Sequence, residues 1–527
     1  FLKVNIDQVY GIEYEEFPAR IASVAMWLID HQMNMKVSTE FGQYFARLPL
    51  KKSANIYHGN ALRMNWEELV SKNELSYILG NPPFIGKQLQ NEEQKKDMGL
   101  IFNGGNNGNG TGVLDYVTAW YIKASEYIQG TKIKVAFVST NSISQGEQVG
   151  ILWNKLFNKY NIKIHFAHKT FKWSNEAKGQ ANVYVVIIGF ANFDVTNKYL
   201  YEYETPKSEA HEIKVKNINP YLVEASDIVI LKRGKTISKI PEIIFGSMPN
   251  DGGNLILSDD EKNELLRNEP FAEKFIRPFT GSQEFLHNVK RWCLWLVDVK
   301  PIELQKSSEI LRRIELVKQH RLNSNRETTQ KLAEYPTLFA EIRNPNVDYL
   351  IIPKVSSEKR KYIPMAFVSK DVIASDLCLM IPNINLFQFG VLTSEMHMTW
   401  VRYTCGRLKS DFRYSNEIVY NNFPFPENPT DKQIKQIGEK AQKLLDARKE
   451  FPESSLADLY DTLTMPPKLV KAHQDLNKAV DSCYRNQSFD NEAKRIEFLF
   501  ELYDKYTAPL LNQEAIGKKK NRKEKLL

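Results

Sequence analysis

Cysteine is scarce in this chain: its 527 residues include four, Cys293, Cys378, Cys405 and Cys483. They are far apart and form no CxxC pair. That spacing suggests neither a zinc site nor a disulfide framework, and it fits a reducing cytoplasm. No apolar run is long enough to span a bilayer, so a membrane partner is not expected. The start, Phe1-Leu2-Lys3-Val4-Asn5, has neither an initiator Met nor a signal-peptide layout. It reads as the interior of a larger protein. A strong surplus of one charge is also missing, since 71 basic residues face 63 acidic ones for a net charge of +8. A polyanionic partner must therefore be met by local placement of charge rather than by its sum.

The remaining composition, 42% hydrophobic and 25% charged, is that of a globular protein too long for one core. Over the first two hundred residues, short apolar runs alternate with amphipathic stretches. Val9 to Glu13 reads as a strand ending in an acid. Phe17 to His31 has Ile21, Val24, Ala25 and Leu28 at helical spacing. Strands are expected at Ser76 to Gly80, Lys134 to Val138, Ile162 to Phe166 and Val183 to Phe190, with a helix over Asp115 to Ile128. Alternation of this kind predicts an α/β domain around a mostly parallel sheet. Asn103 to Gly112, NGGNNGNGTG, predicts a loop.

From about Tyr201 the texture becomes that of an α+β domain. Arg291 to Val297, Tyr349 to Val355 and Ala374 to Ile381 read as strands, and Glu303 to Leu332 as a helical stretch. From Thr430 onward the chain reads as helical, over Lys432 to Glu450, Pro467 to Tyr484 and Glu492 to Tyr506. A basic tail at the end is expected to be disordered. The expected domains are residues 1–205, 206–430 and 431–527.

The chemistry concentrates at Asn81-Pro82-Pro83-Phe84. A strand running into two prolines cannot continue its ladder, which leaves a rigid corner at its carboxyl end. There the Asn81 amide oxygen and the Pro82 carbonyl can accept both hydrogens of one amino group. Phe84 offers a face for a base to stack on. Such a group suits the exocyclic nitrogen of a nucleobase, a poor nucleophile that needs orientation and electrostatic help. Read alone, the tetrad also fits an ordinary turn. Glu13, at a strand end, can hold ribose hydroxyls or serve only as a helix-start acid. Asn60 in His58-Gly59-Asn60-Ala61-Leu62 can bond an adenine edge or simply make a turn. Their order along the chain supports the functional reading. Asp97, Asp115 and Glu147 are read as structural.

Taken together, the stretches YGIEYEEFPARIASVAMWLIDHQMN, IYHGNALRMNW, LGNPPFIGK, DYVTAWYIKA, FKWSNEAKGQANVYVVIIGF and YSNEIVYNNFPFPENPT resemble the gamma class of adenine-N6 DNA methyltransferases. Within it they are most similar to the MmeI-like restriction-modification enzymes. The resemblance implies a Rossmann-like class I domain dependent on S-adenosylmethionine, then an α+β target-recognition domain and a helical C-terminal region. It assigns catalysis to Asn81, Pro82, Pro83 and Phe84, and cofactor binding to Glu13, Asn60 and Ala61. Many relatives carry Asp at the place of Asn60. Asn182-Val183 is assigned to the target-base pocket. The implied partner is double-stranded DNA, and the implied setting is the cytoplasm.

The family's glycine-rich cofactor loop, of DPACGSGNFL type, and its nuclease region are expected upstream of residue 1. No nuclease metal site of the PD-ExK kind is found within the chain. On this reading residues 1–527 bind the cofactor poorly by themselves. A DNA-recognition subunit built on an inactive methyltransferase scaffold is the alternative, and RNA or protein-glutamine methylation is a third reading. Arg343, Lys354, Arg407, Lys409 and Arg413 are the candidate DNA contacts, with Cys405 to Ser415 the preferred DNA-facing segment.

Overall fold

The computed structural model describes residues 4–42, 53–102, 111–173, 183–205 and 208–524, with side chains described as far as residue 509. The chain divides into two compact units, Phe1–Ser144 with Gln148–Val229, and Gln145–Glu147 with Ile230–Leu527.

In the first unit, strand β1 (Tyr10–Glu13) pairs in parallel with β2 (Asn55–His58), which places Glu13 opposite His58. The helix Glu16–Phe41 connects them. A separate six-stranded sheet contains β3 (Tyr77–Gly80), β4 (Lys134–Thr140), β5 (Lys163–Trp173), β6 (Val183–Ala191), β7 (Lys198–Tyr203) and β8 (Ala210–Val215), in the order β3-β4-β6-β5-β7-β8. The sheet runs on past residue 205 to take up β8.

The expected mostly parallel sheet is not what forms. Within the six strands, β3–β4 and β5–β7 are parallel, whereas β4–β6, β5–β6 and β7–β8 are antiparallel. The cause is connection length. Nine residues separate β5 from β6, fewer than a parallel crossover needs, so the two strands form a hairpin. Tyr121, Phe137, Trp153 and Phe190 fill the core beneath them. Tyr121 stacks on Phe190 with ring centroids 5.3 Å apart.

The helix Glu16–Phe41 has the expected periodicity, and its apolar stripe is largely exposed. Its buried residues are Ala19 and Asn34, while Ile21, Val24 and Leu28 are all about half exposed or more. Among the described residues, β1 pairs with β2 alone and β3 with β4 alone.

Among the described residues, the second unit holds three small sheets. Tyr349–Pro353 lies between Ala366–Val368 and Cys378–Pro382, which also pairs with Ile244–Phe245. Ile276–Thr280 lies between Trp292–Leu294 and Ile373–Ala374. Val355–Ser356, Asp411–Arg413 and Gly406–Leu408 form the third.

The helical stretch expected over Glu303 to Leu332 is divided into Pro301–Leu304, Ser308–Leu322 and Glu327–Lys331. Ser307 starts the middle piece by accepting the Ile310 amide at 3.0 Å. The helices Asp431–Lys449 and Pro467–Tyr484 bury Ile437, Ala441 and Leu444, and Leu469, Leu476 and Val480, at helical spacing. The last helix, Glu492–Glu524, runs through the basic stretch that was expected to be disordered, since Lys, Arg and Glu are good helix formers. Among the described residues no helix is long and apolar enough to cross a membrane.

Candidate active site and DNA-facing surface

Because β1 runs parallel to β2 and β3 parallel to β4, functional groups can collect at strand carboxyl ends, where open α/β sheets hold ligands. Glu13 ends β1, Gly59-Asn60-Ala61 follows β2 and Asn81-Pro82-Pro83 follows β3. All of these border one cavity of about 670 Å³, together with Tyr10, Tyr57, Trp66, Asp97, Tyr116 and Phe137. Phe84 is half-buried and is not among the lining residues.

The turn after β3 leaves its acceptors available. The Pro83 carbonyl accepts the Ile85 amide at 3.1 Å, and the Ile85 carbonyl accepts the Tyr116 amide at 2.9 Å. Among the described residues no hydrogen bond occupies the Pro82 carbonyl or the Asn81 side chain. Asn81 is exposed and Pro82 buried. The half-buried Glu13 accepts the Glu15 amide through Oε1 at 3.2 Å.

Asn60 is held from two sides. Its Oδ1 accepts the Leu62 amide at 2.9 Å, and its Nδ2 donates to Asp97 Oδ2 at 2.9 Å. Tyr116 Oη donates to the same Asp97 oxygen at 2.6 Å, and Arg63 Nε to the other at 2.6 Å. Asp97 lies on the helix Glu92–Ile101 and is 1% exposed. Burial pushes its carboxyl up, but hydrogen bonds from Tyr116, Arg63 and Asn60 outweigh burial and hold it below the usual carboxylate range. Burial and the Asp97 contact push the Tyr116 phenol well up.

The loop after Asn60 is tied as well. Trp66 Nε1 donates to the Ala61 carbonyl at 2.9 Å. Lys123 Nζ donates to the Leu62 and Met64 carbonyls at 2.8 and 2.6 Å, and burial lowers its pKa to about 8. The sequence reading set Asp97 aside because nothing local marks it: its partner Asn60 lies 37 residues away. Asn182 and residues 103–110 of the expected loop lie outside the described residues, while Val183 opens β6.

In the second unit, Arg343, Lys354 and Arg413 form one electropositive group. The Arg343 guanidinium and Lys354 Nζ lie 5.7 and 4.9 Å from the Phe245 ring centroid. Burial lowers the Lys354 pKa, Asp376 opposes that, and Arg413 and Arg343 lower it further. Lys354 Nζ donates to the Asp376 carbonyl at 3.0 Å, and Arg343 pairs with Glu341.

Lys409 and Arg413 are exposed on the hairpin Gly406–Leu408/Asp411–Arg413, with Lys409 at φ 58° in its turn. Arg407 is placed differently. Its guanidinium donates to the Ser410 and Arg402 carbonyls at 3.3 and 3.1 Å and lies 3.8 Å from the Phe412 ring centroid. These contacts make Arg407 an internal brace of the hairpin.

Residues 1–202 match the family described as MmeI, DNA-methyltransferase domain. Residues 224–427 match MmeI, target recognition domain, and residues 429–511 match MmeI, C-terminal domain. A solved structure of the Type IIL restriction-modification enzyme MmeI in complex with DNA is 49% identical with a TM-score of 0.84, covering 96% of this chain and 67% of that one. The chain belongs to the MmeI family.

This MmeI-family chain is also 41% identical over 508 residues to DNA methyltransferase A of Bacillus subtilis (strain 168), covering 96% of the chain. It spans 56% of that relative's length. The methyltransferase match contains every residue of the cavity, and the target-recognition match contains all five candidate DNA-contacting cations.

Proposed function

We propose that this chain forms the methyltransferase and target-recognition part of a restriction-modification enzyme that methylates the N6 amino group of adenine in double-stranded DNA. The observation that carries this reading is the gathering of Glu13, Asn60, Ala61 and Asn81-Pro82-Pro83 around one cavity. The donor set suits S-adenosylmethionine: a carboxylate for ribose hydroxyls, an amide for an adenine edge, and aromatic and apolar walls in a volume of small-molecule scale. Glu13, Asn60 and Ala61 would hold that cofactor, which supplies an electrophilic methyl group when bound.

The chain's own residues orient the acceptor. An adenine rotated out of the duplex would present its amino group to the Asn81 amide oxygen and the Pro82 carbonyl. Accepting both N–H bonds fixes the nitrogen and draws electron density toward it. Positive charge that develops there is stabilised by the same two dipoles. Phe84 would stack on the base once it has entered. Arg343, Lys354, Lys409 and Arg413 would hold the duplex, with Arg407 bracing the hairpin that carries two of them.

The test uses the full polypeptide that carries this chain, with methyl-labelled cofactor offered together with DNA, RNA or protein. Label on DNA adenine N6, abolished by Asn81→Ala, is expected. Label on RNA or protein but never on DNA would overturn the reading. DNA binding without any transfer would favour the scaffold alternative.

A further inference from the structure

We propose that Asp97 is a positioning residue that fixes which way the Asn60 amide faces and so gives the cavity its preference for adenine over other purine edges. This inference rests on the reading of the cavity as a nucleoside-cofactor site. A primary amide has two N–H donors and two acceptor lone pairs, and its oxygen and nitrogen ends are nearly isosteric. Nothing in the shape of Asn60 alone selects one orientation. Its neighbours do: the Leu62 amide donates to Oδ1, and Asp97 can only accept from Nδ2.

The count then decides what remains. Asp97 takes one N–H of Asn60, Tyr116 also lies against the amide, and Leu62 takes one lone pair, which leaves the second lone pair of Oδ1. A lone pair on an oxygen held in place matches the amino hydrogen that the adenine edge offers. Hypoxanthine replaces that amino donor with a carbonyl acceptor, and an amide held in this orientation would face it with a lone pair.

Asp97 is equipped to hold the orientation. It is 1% exposed, and Tyr116 and Arg63 also donate to it. The Arg63–Asp97 pair alone would be weak evidence, since the Arg63 side chain is 45% exposed. The convergence of three donors on one buried carboxylate is what locks its geometry. Tyr116 extends the link, because its backbone amide donates to the Ile85 carbonyl just past Asn81-Pro82-Pro83. One carboxylate thus joins the Asn60 end of the cavity to the turn that bears Asn81.

The test is calorimetric binding of S-adenosylhomocysteine and its inosine counterpart to the full polypeptide, as wild type, Asp97→Ala, Asp97→Asn and Tyr116→Phe, with thermal denaturation of each protein without ligand. Wild type is expected to prefer the adenine ligand by roughly tenfold or more, in line with one misplaced donor–acceptor pair. Asp97→Ala should bring the two affinities within about threefold of each other, because the Leu62 amide alone then holds the orientation of Asn60. Asp97→Asn keeps the size of the side chain and should narrow the preference without a large loss of stability, which covers the case in which Asp97→Ala does not fold. Tyr116→Phe should fall between wild type and Asp97→Asn.

If the variants lose affinity for both ligands equally and keep the wild-type ratio, Asp97 is only a packing group and the inference fails. If wild type binds neither nucleoside, the reading of the cavity itself fails and takes this inference with it. If wild type discriminates and every variant discriminates equally well, the cavity reading stands and the role of Asp97 falls.

Discussion

Arg321 offers the sharpest test of how the DNA-facing unit is held together. Its guanidinium is 1% exposed and donates to five backbone carbonyls, those of Pro249, Asn250, Leu332, Tyr335 and Leu338, at 2.7 to 3.1 Å. Burial lowers its pKa, and Asp251 acts in the opposite direction. Replacement by Met keeps the apolar stem and removes every donor. Three of the carbonyls retain a backbone partner, because Pro249 accepts from Ala340, Leu332 from Tyr335 and Tyr335 from Leu338. The Asn250 and Leu338 carbonyls lose the only donors recorded for them among the described residues.

Two carbonyls that face the buried Arg321 head group and are left unmet cost about 1–3 kcal/mol each, so Arg321→Met should destabilise the second unit by about 4 kcal/mol. The other three lost bonds are offset in part by no longer burying an ion. Arg321→Lys keeps three donors without the planar fork and should cost about 2 kcal/mol. Urea titration read by tryptophan fluorescence, with Trp292 and Trp295 packed in the same unit, measures the shift.

Function should follow stability. The two segments joined by Arg321 lead directly to the pairing of Met248 with Glu341 and to the Arg343 amide, which donates to Ser247 Oγ at 3.0 Å. DNA affinity is therefore expected to fall with the same variants. An Arg321→Met protein within 1 kcal/mol of wild type would refute the hydrogen-bond accounting.

Three further outcomes are expected. Lys409→Ala with Arg413→Ala should weaken DNA binding and reduce the slope of log affinity against log salt by about 2, as for two lost phosphate contacts, whereas Arg407→Ala should mainly lower thermal stability; a salt slope unchanged in the double variant would remove both residues from the interface. His397 is fully buried and its pKa is lowered to about 3, so between that value and its unfolded pKa of about 6.5 the unfolded chain binds the extra proton and stability rises with pH. Acid titration of wild type and His397→Gln should show a shallower loss in the variant as pH falls through that window. Gly246→Ala would bring a Cβ to 2.0 Å from the Ser375 carbonyl, so it should displace the strand Ile244–Phe245 and lower both the melting temperature and DNA affinity, while equal values for both would contradict the close approach.

What the sequence made legible was local. β1 and β3 could be read because an acid and two prolines end them within a few residues, and the C-terminal helices because their apolar positions recur at 3.6-residue spacing. Pairing across distance was not legible. The amphipathic pattern of Glu16–Phe41 specified a helix without saying whether its apolar stripe is covered. Arg407 looked like its basic neighbours until Phe412 and two carbonyls claimed its head group. Asp97 had no motif at all, because its meaning comes from Asn60, Arg63 and Tyr116.

The sparse burial around Glu16–Phe41 has a thermodynamic consequence. In residues 1–527 by themselves, a segment with so little apolar surface removed from water has little local stability and opens in advance of the core. β1, this helix and β2 supply Glu13 and lead into Asn60, so occupancy of the cavity and closure of this segment are linked equilibria. Amide exchange along Glu16–Phe41 should slow when a ligand engages Glu13, while the Tyr121–Phe190 core should exchange at the same rate with or without it.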